Sequence, residues 1–374
     1  MNKRTISIGH IFGIPIGLDP SWFLAFALIT WTLAVSYYPE DFKNWSIAEY
    51  WTVAAATTIL IFGSVVLHEV GHSVVAMYYK IPVRRITLFI FGGVAEIGAE
   101  PPSAKAEFWI AIAGPLVSFG LAILFGLLQS VFVTIAPLFA MVRYLALTNG
   151  SLAVFNLIPA FPLDGGRVFR AIVWKITGSM RRATIIAGNL GRLIGFLFIL
   201  FGVWQIFRGN FMDGLWIAFM GWFLESAAAS QVQQQTVHDT LAGHKVSEAG
   251  SQAYASVRAD ESLQHVVDEN ILSRGQRCFI VERDHKAVGL LTLQMIKEVP
   301  RNEWGTTTAA QAMLSMRDVK RIQPDSELWD ALEEMDRDGV NQLPVMADSR
   351  CMGMLSRDNL IGYLRTHREL GSSV

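Results

Sequence analysis

His68-Glu69-Val70-Gly71-His72 sets two imidazoles four residues apart, with a carboxylate beside the first. On a helix that spacing brings both rings to one face, within reach of a single ion. Imidazole nitrogens so placed suit zinc, and a carboxylate next to a metal-held water serves as a general base. Glu69 is the base in this reading. The motif lies within the apolar stretch Tyr50–Tyr79, where three ionisable groups are costly unless they share a purpose. A third ligand is expected to be a carboxylate, because His10 is the sole other histidine before His238 and precedes the first apolar stretch. Asp164 stands out in Asn156-Leu-Ile-Pro-Ala-Phe-Pro-Leu-Asp-Gly-Gly, where two prolines and two glycines break a helix next to an acid. The alternative for that segment is a surface loop in which Asp164 caps the next helix. Glu96 and Glu100 are weaker ligand candidates.

The elements that must hold these residues follow from charge. Charged side chains number 26 up to Ser230 and 37 in the shorter stretch from Gln231 onward, about one residue in nine against about one in four. A water-soluble fold is about a quarter charged throughout. Residues 1–230 are therefore expected to form a polytopic membrane domain, 231–240 a polar linker and 241–374 a soluble domain. A span needs about 20 apolar residues. Candidates lie near Trp22–Tyr37, Tyr50–Tyr79, Phe108–Val133, Leu138–Pro159, Ala183–Phe207 and Met212–Leu224, so about six helices are expected. Alternating loops place eleven Lys and Arg on one side and three on the other. That asymmetry predicts a multi-pass cell-membrane protein with its N-terminus and tail in the cytoplasm.

Between the second and third spans, apolar β-formers flank Gly92-Gly93, the signal of a short membrane-associated hairpin over Leu88–Ile97. Its edge is a candidate clamp for an extended chain. The net charge of −1 gives no footprint for nucleic acid. The two cysteines, Cys278 and Cys351, both lie in the tail and read as small buried hydrophobes rather than as a disulfide framework.

The tail repeats itself. Val257-Arg-Ala-Asp-Glu-Ser-Leu263 corresponds to Ile322-Gln-Pro-Asp-Ser-Glu-Leu328, Cys278–Val281 to Leu343–Met346, and Gly289–Thr292 to Gly353–Ser356. Helical segments alternate with short apolar strands in each unit. The pattern resembles a tandem pair of CBS domains, at about 241–300 and 306–366.

HEVGH at 68–72, FGGVAEIG at 91–98, AGP at 113–115 and NLIPAFPLDGG at 156–166 also occur in a recognisable order. With the repeated tail, the chain resembles the site-2 protease family of intramembrane zinc metalloproteases, in the branch carrying C-terminal CBS domains. The resemblance implies a membrane all-α fold with the hairpin, plus a cytoplasmic α/β tandem CBS module. It implies one catalytic Zn2+ held by His68, His72 and Asp164, with Glu69 as base and Asn156 holding the substrate backbone or the developing oxyanion. The expected activity is hydrolysis of a peptide bond in or near a transmembrane segment of a membrane-protein substrate. Such a helix hides its carbonyl in its own hydrogen bonds and must be held extended, the role assigned to Gly92 and Gly93.

CBS pairs bind adenine nucleotides through a Thr or Ser followed three residues later by an acid. Here Ser356-Arg-Asp358-Asn359 has an amide at that place and the acid one position early, and Thr292 is followed by Met295. AMP, ADP or ATP binding therefore stands against a dimerising or structural role, including a homodimer through the CBS domains. The competing reading of the whole chain is a CBS-regulated ion transporter or channel, since intramembrane His, Glu and Asp can line an ion path. Such a path has no need of this spacing.

Overall fold

A computed structural model of the chain describes residues 5–250, 254–284, 286–347 and 350–369. It divides into two compact units, Asn2–Gln235 and Thr236–Val374. The first begins with β1 (Ile6–Ile11) and β2 (Ile14–Leu18), then α1 (Ser21–Thr32), a π-helical turn over Leu33–Tyr37 and α2 (Tyr38–Asp41). There follow α3 (Ile47–Tyr78), β3 (Val83–Phe89), β4 (Gly92–Ile97), α4 (Ala104–Val131), α5 (Ala136–Asn156), α6 (Asp164–Thr177), α7 (Met180–Phe207) and α8 (Phe211–Leu241).

Among the described residues five helical stretches are long and apolar enough to cross a membrane: Ser21–Asp41, Ile47–Tyr78, Ala104–Val131, Ala136–Asn156 and Met180–Phe207. The segment Met212–Leu224, expected as a sixth, is helical within α8. Residues 231–240, expected as a linker, continue that helix to Leu241. They contain neither glycine nor proline to stop it.

The site-bearing helix α3 starts at a reciprocal cap. The Glu49 amide donates to Ser46 Oγ at 3.2 Å, and the Ser46 amide donates to Glu49 Oε2 at 2.6 Å. Its buried hydroxyls are satisfied locally and across helices: Thr57 and Thr58 donate to the carbonyls of Val53 and Ala54, Tyr38 Oη lies 2.7 Å from Thr57 Oγ1, and Thr30 Oγ1 donates to Thr58 at 3.0 Å. Around them Leu33, Tyr38, Ala54, Ile61, Ala140 and Leu145 form one core cluster drawn from four helical segments.

A four-stranded sheet in the order β1-β2-β3-β4 lies beside α3. β1 and β2 are antiparallel, β2 and β3 parallel with Ile16 opposite Ile86, and β3 and β4 antiparallel with Leu88 opposite Gly93. The sequence predicts only the β3–β4 half. It also predicts the Gly-Gly pair as the turn, whereas Ile90 and Phe91 connect the strands and both glycines open β4. Their use is different: Gly92 adopts φ +132°, and Gly93 lets the strand approach α3. Ile14, Val70 and Ile86 seal β2 and β3 onto α3.

α7 and α8 form a hairpin whose backbones touch. A Cβ at Gly195 would lie 2.7 Å from the Glu225 amide, and one at Gly202 would lie 2.6 Å from the Gly214 carbonyl oxygen. Small residues permit such approach, and in lipid the gain is close packing and not water exclusion. Gly202→Val is expected to destabilise the detergent-solubilised protein by about 1–3 kcal/mol. A thermal midpoint equal to the wild type would show that the contact is dispensable.

The tail unit has β5 (Ser256–Arg258), β6 (Cys278–Arg283), β7 (Lys286–Thr292) and β8 (Leu314–Ser315) in one sheet, and β9 (Gln342–Ala347) with β10 (Arg350–Ser356) in another. Phe279, Val281, Leu263 and Leu291 centre one core; Leu328, Met335, Leu343 and Leu355 centre the second, against which Leu241 and Val237 from the end of α8 pack. Burial pushes the Cys278 thiol up to about 11 and raises that of Cys351 as well. Relative to a free thiol near 8.5, Cys278 then presents about 300-fold less thiolate at neutral pH. In a Cys351→Ser background its reaction with a disulfide reagent is expected to rise about tenfold per pH unit up to about pH 11. A plateau near pH 8.5 would contradict this burial.

Candidate metal centre

The helical period delivers His68 and His72 to one face of α3, and each is only 4% exposed. Asp164 is the first residue of α6, reached through the Pro159–Leu163 loop. That loop packs tightly on the helix it starts. A Cβ at Gly165 would collide with the carbonyls of Leu157 and Ile158, and one at Gly166 would lie 2.6 Å from the Phe161 amide. Two glycines directly after the acid are what let the loop fold back.

Three acceptor atoms converge. His68 Nε2 lies 3.1 Å and His72 Nε2 3.3 Å from Asp164 Oδ2, and the two Nε2 atoms are 3.2 Å apart. The far side of each ring is held by α4: His72 Nδ1 donates to the Ile110 carbonyl at 2.6 Å, and His68 Nδ1 lies 2.9 Å from Ser118 Oγ. A carbonyl only accepts, so neutral His72 carries its hydrogen on Nδ1 and offers a lone pair at Nε2. Two imidazole nitrogens and a carboxylate oxygen aimed at one point call for a cation. All three donor atoms lie within 4.8 Å of one another, and the N2O set suits zinc. Space over them is kept by Gly114 of α4: a Cβ there would collide with His72 Nε2 and lie 2.7 Å from His68 Nε2.

Glu69 stands beside the cluster rather than within it. Its carboxylate lies near Ala95 of β4 and faces the charges of His72, His68 and Asp164. Its side chain fits because residue 93 is glycine, where a Cβ would lie 2.7 Å from Glu69 Cγ. Asn156 is the last residue of α5 and is half-buried. Glu96 sits exposed on β4, 3.9 Å from Arg85, and Glu100 is exposed; neither joins the cluster.

Two contributors leave no mark in the motifs, the Ile110 carbonyl and Ser118, while a third, Gly114, lies in the AGP motif at 113–115 without being assigned to the site there. They recur every four residues along α4, a stripe that marks a helix face but not its partner. In the tail, Ser356 and Asn359 cap the last helix reciprocally: Ser356 Oγ donates to Asn359 Oδ1 at 2.6 Å, and the Asn359 amide donates to Ser356 Oγ at 3.1 Å. Asp358 lies in that helix's first turn. Thr292 caps its own helix through the Met295 amide at 3.4 Å. A cavity of about 660 Å³ opens elsewhere in this unit, lined by Arg258, Asp260, Glu282, Arg283, Asp284 and Thr308.

The sequence pattern described as Peptidase family M50 matches residues 56–136 and 129–202, and that of the CBS domain matches residues 310–366. With five apolar helices among the described residues, the class is a membrane metallopeptidase carrying a CBS tail. The provisionally named zinc metalloprotease sll0528 of Synechocystis sp. is 31% identical over 370 residues, covering 97% of this chain and 96% of its own. Zinc metalloprotease MJ0392 of Methanocaldococcus jannaschii is 39% identical over 199 residues, 53% of this chain and 54% of that one. A solved structure of the site-2 protease from the same organism is 32% identical, covers 61% of this chain and 95% of that chain, and superposes with a TM-score of 0.42. The chain belongs to peptidase family M50, the site-2 protease family.

Proposed function

We propose that the chain is an intramembrane zinc endopeptidase that hydrolyses a peptide bond in or near a transmembrane segment of another membrane protein. The observation that carries this is the convergence of His68 Nε2, His72 Nε2 and Asp164 Oδ2 with the Glu69 carboxylate beside them. His68, His72 and Asp164 would hold the metal. Bound zinc supplies a Lewis acid that brings water ionisation into the neutral range. Glu69 takes the proton of the attacking water and returns it to the leaving amine. Asn156 donates its amide hydrogens to the substrate backbone or to the oxygen on which charge develops.

The edge of β4 suits an extended substrate. Among the described residues β4 pairs only with β3, which leaves its other edge for an added strand, and Gly92 and Gly93 bring that strand next to Glu69. This assigns the membrane-associated strands their purpose. The excess of Lys and Arg in alternate loops supports a cytoplasmic location for the N-terminus and the tail. The tail acts there as a tandem CBS module that senses adenine nucleotide; titration of the purified full chain with AMP, ADP and ATP tests this, and the absence of any binding heat overturns it.

The protease reading is tested by reconstituting purified protein with single-span candidate substrates and measuring zinc and cleavage together. Cleavage is expected to stop when zinc is stripped and to return when zinc is restored. Undiminished cleavage by metal-free protein would refute it.

A further inference from the structure

The most deeply buried carboxylate–guanidinium pair among the described residues joins Glu107 of α4 to Arg170 of α6. Glu107 is fully buried and Arg170 is 7% exposed. Arg170 Nε donates to Glu107 Oε1 at 2.6 Å and its Nη2 reaches the same oxygen, which leaves Oε2 buried without a partner. The guanidinium also lies 5.4 Å from the ring centroid of Phe161, in the loop that leads into Asp164.

The placement of this pair is what gives it meaning. Asp164, Arg167 and Arg170 recur every three residues on one face of α6, and Arg167 faces the charges of Arg170, Glu107, Asp164 and Glu69. On α4, Glu107, Ile110, Gly114 and Ser118 form one stripe. Ile110 and Ser118 hold the outer nitrogens of the two histidines, Gly114 clears the space between helices, and Glu107 grips α6. One face of α4 therefore touches both ligand-bearing helices. Stability alone does not call for an ion pair here, since apolar residues of similar volume serve a buried site as well or better.

We propose that Glu107 and Arg170 are positioning residues: they lock α6 onto the α4 stripe and so set Asp164 at the distance from His68 and His72 that a shared metal requires. The inference rests on those three residues binding zinc.

The test uses the purified full-length chain. Zinc content, zinc release to a chromogenic chelator and thermal midpoint are measured for wild type, for Glu107→Gln, and for the apolar pair Glu107→Leu with Arg170→Met. The apolar pair is expected to melt near the wild-type temperature yet release zinc about 10–100-fold faster, the usual effect of removing groups that orient metal ligands. Glu107→Gln, nearly isosteric, gives the same readout if the apolar pair fails to fold. In an Asp164→Ala background neither change is expected to accelerate release further, because the ligand they position is gone. Unaltered zinc release in the folded variants overturns the proposal, as does an equal acceleration in the Asp164→Ala background. Wild-type protein without zinc would instead overturn the metal reading itself.

Discussion

Glu69→Gln is expected to lower cleavage by about 10²–10⁴-fold, the contribution of a positioned general base, while the protein keeps its full zinc complement. The amide has the shape of the carboxylate but cannot take a proton from water. Its place in the fold is preserved, because residue 69 borders the convergent donors without being one of them and rests in the space left by Gly93. Asp164→Asn is the informative comparison, as it weakens a proposed ligand and should lower zinc affinity and cleavage together. Zinc analysis beside a single-turnover cleavage assay separates the two. Undiminished cleavage by Glu69→Gln would remove Glu69 from the chemistry.

Gly114→Ala is expected to abolish high-affinity zinc binding although it adds a single carbon. In an ordinary helix interior this exchange stabilises by about 1 kcal/mol. Here the new Cβ would lie 2.6 Å from His72 Cε1 and 2.7 Å from His68 Nε2. The rings cannot swing aside cheaply, because their Nδ1 atoms are tied to Ile110 and Ser118 of the same helix. The methyl group takes the space into which the donor atoms point, and a loss of about 100-fold in zinc affinity or more is expected. Competition with a chelator of known affinity measures it. A variant with wild-type affinity would show that the three donors do not converge on this side of α4.

The histidine pair is legible in the sequence because the helical period alone sets its geometry; tertiary structure adds little to four residues on one turn. Asp164 is legible for another reason, since prolines and glycines beside an acid in an apolar region are costly without a use. The Ile110 carbonyl leaves no trace in sequence, because every residue has one. Ser118 matters only through the register of α4 on α3, which no local pattern encodes, and the AGP motif marks Gly114 without telling which rings it clears. β1 and β2 escape notice because glycines interrupt their short runs and because β2 finds its partner in β3, on the far side of the whole of α3 in the chain. The Gly-Gly pair is conspicuous but misleads, since turn chemistry and close approach to a neighbouring helix ask for the same residue.

α3 is 32 residues long, about 48 Å at 1.5 Å per residue, against a hydrocarbon core of about 30 Å. His68 and His72 lie only about 15 Å and 9 Å from its Tyr78 end, and more than twice as far from Ile47. On the proposed reading, a substrate helix lying alongside would be cut between its middle and the end toward Lys80, Arg84 and Arg85. The two fragments would then differ in how much apolar chain they retain. The one on that side would keep the shorter apolar stub, and at about 0.8 kcal/mol per buried CH₂ the shorter stub is the weaker anchor. Where the histidines fall along one helix would thus set which half of a substrate is held less firmly by the lipid.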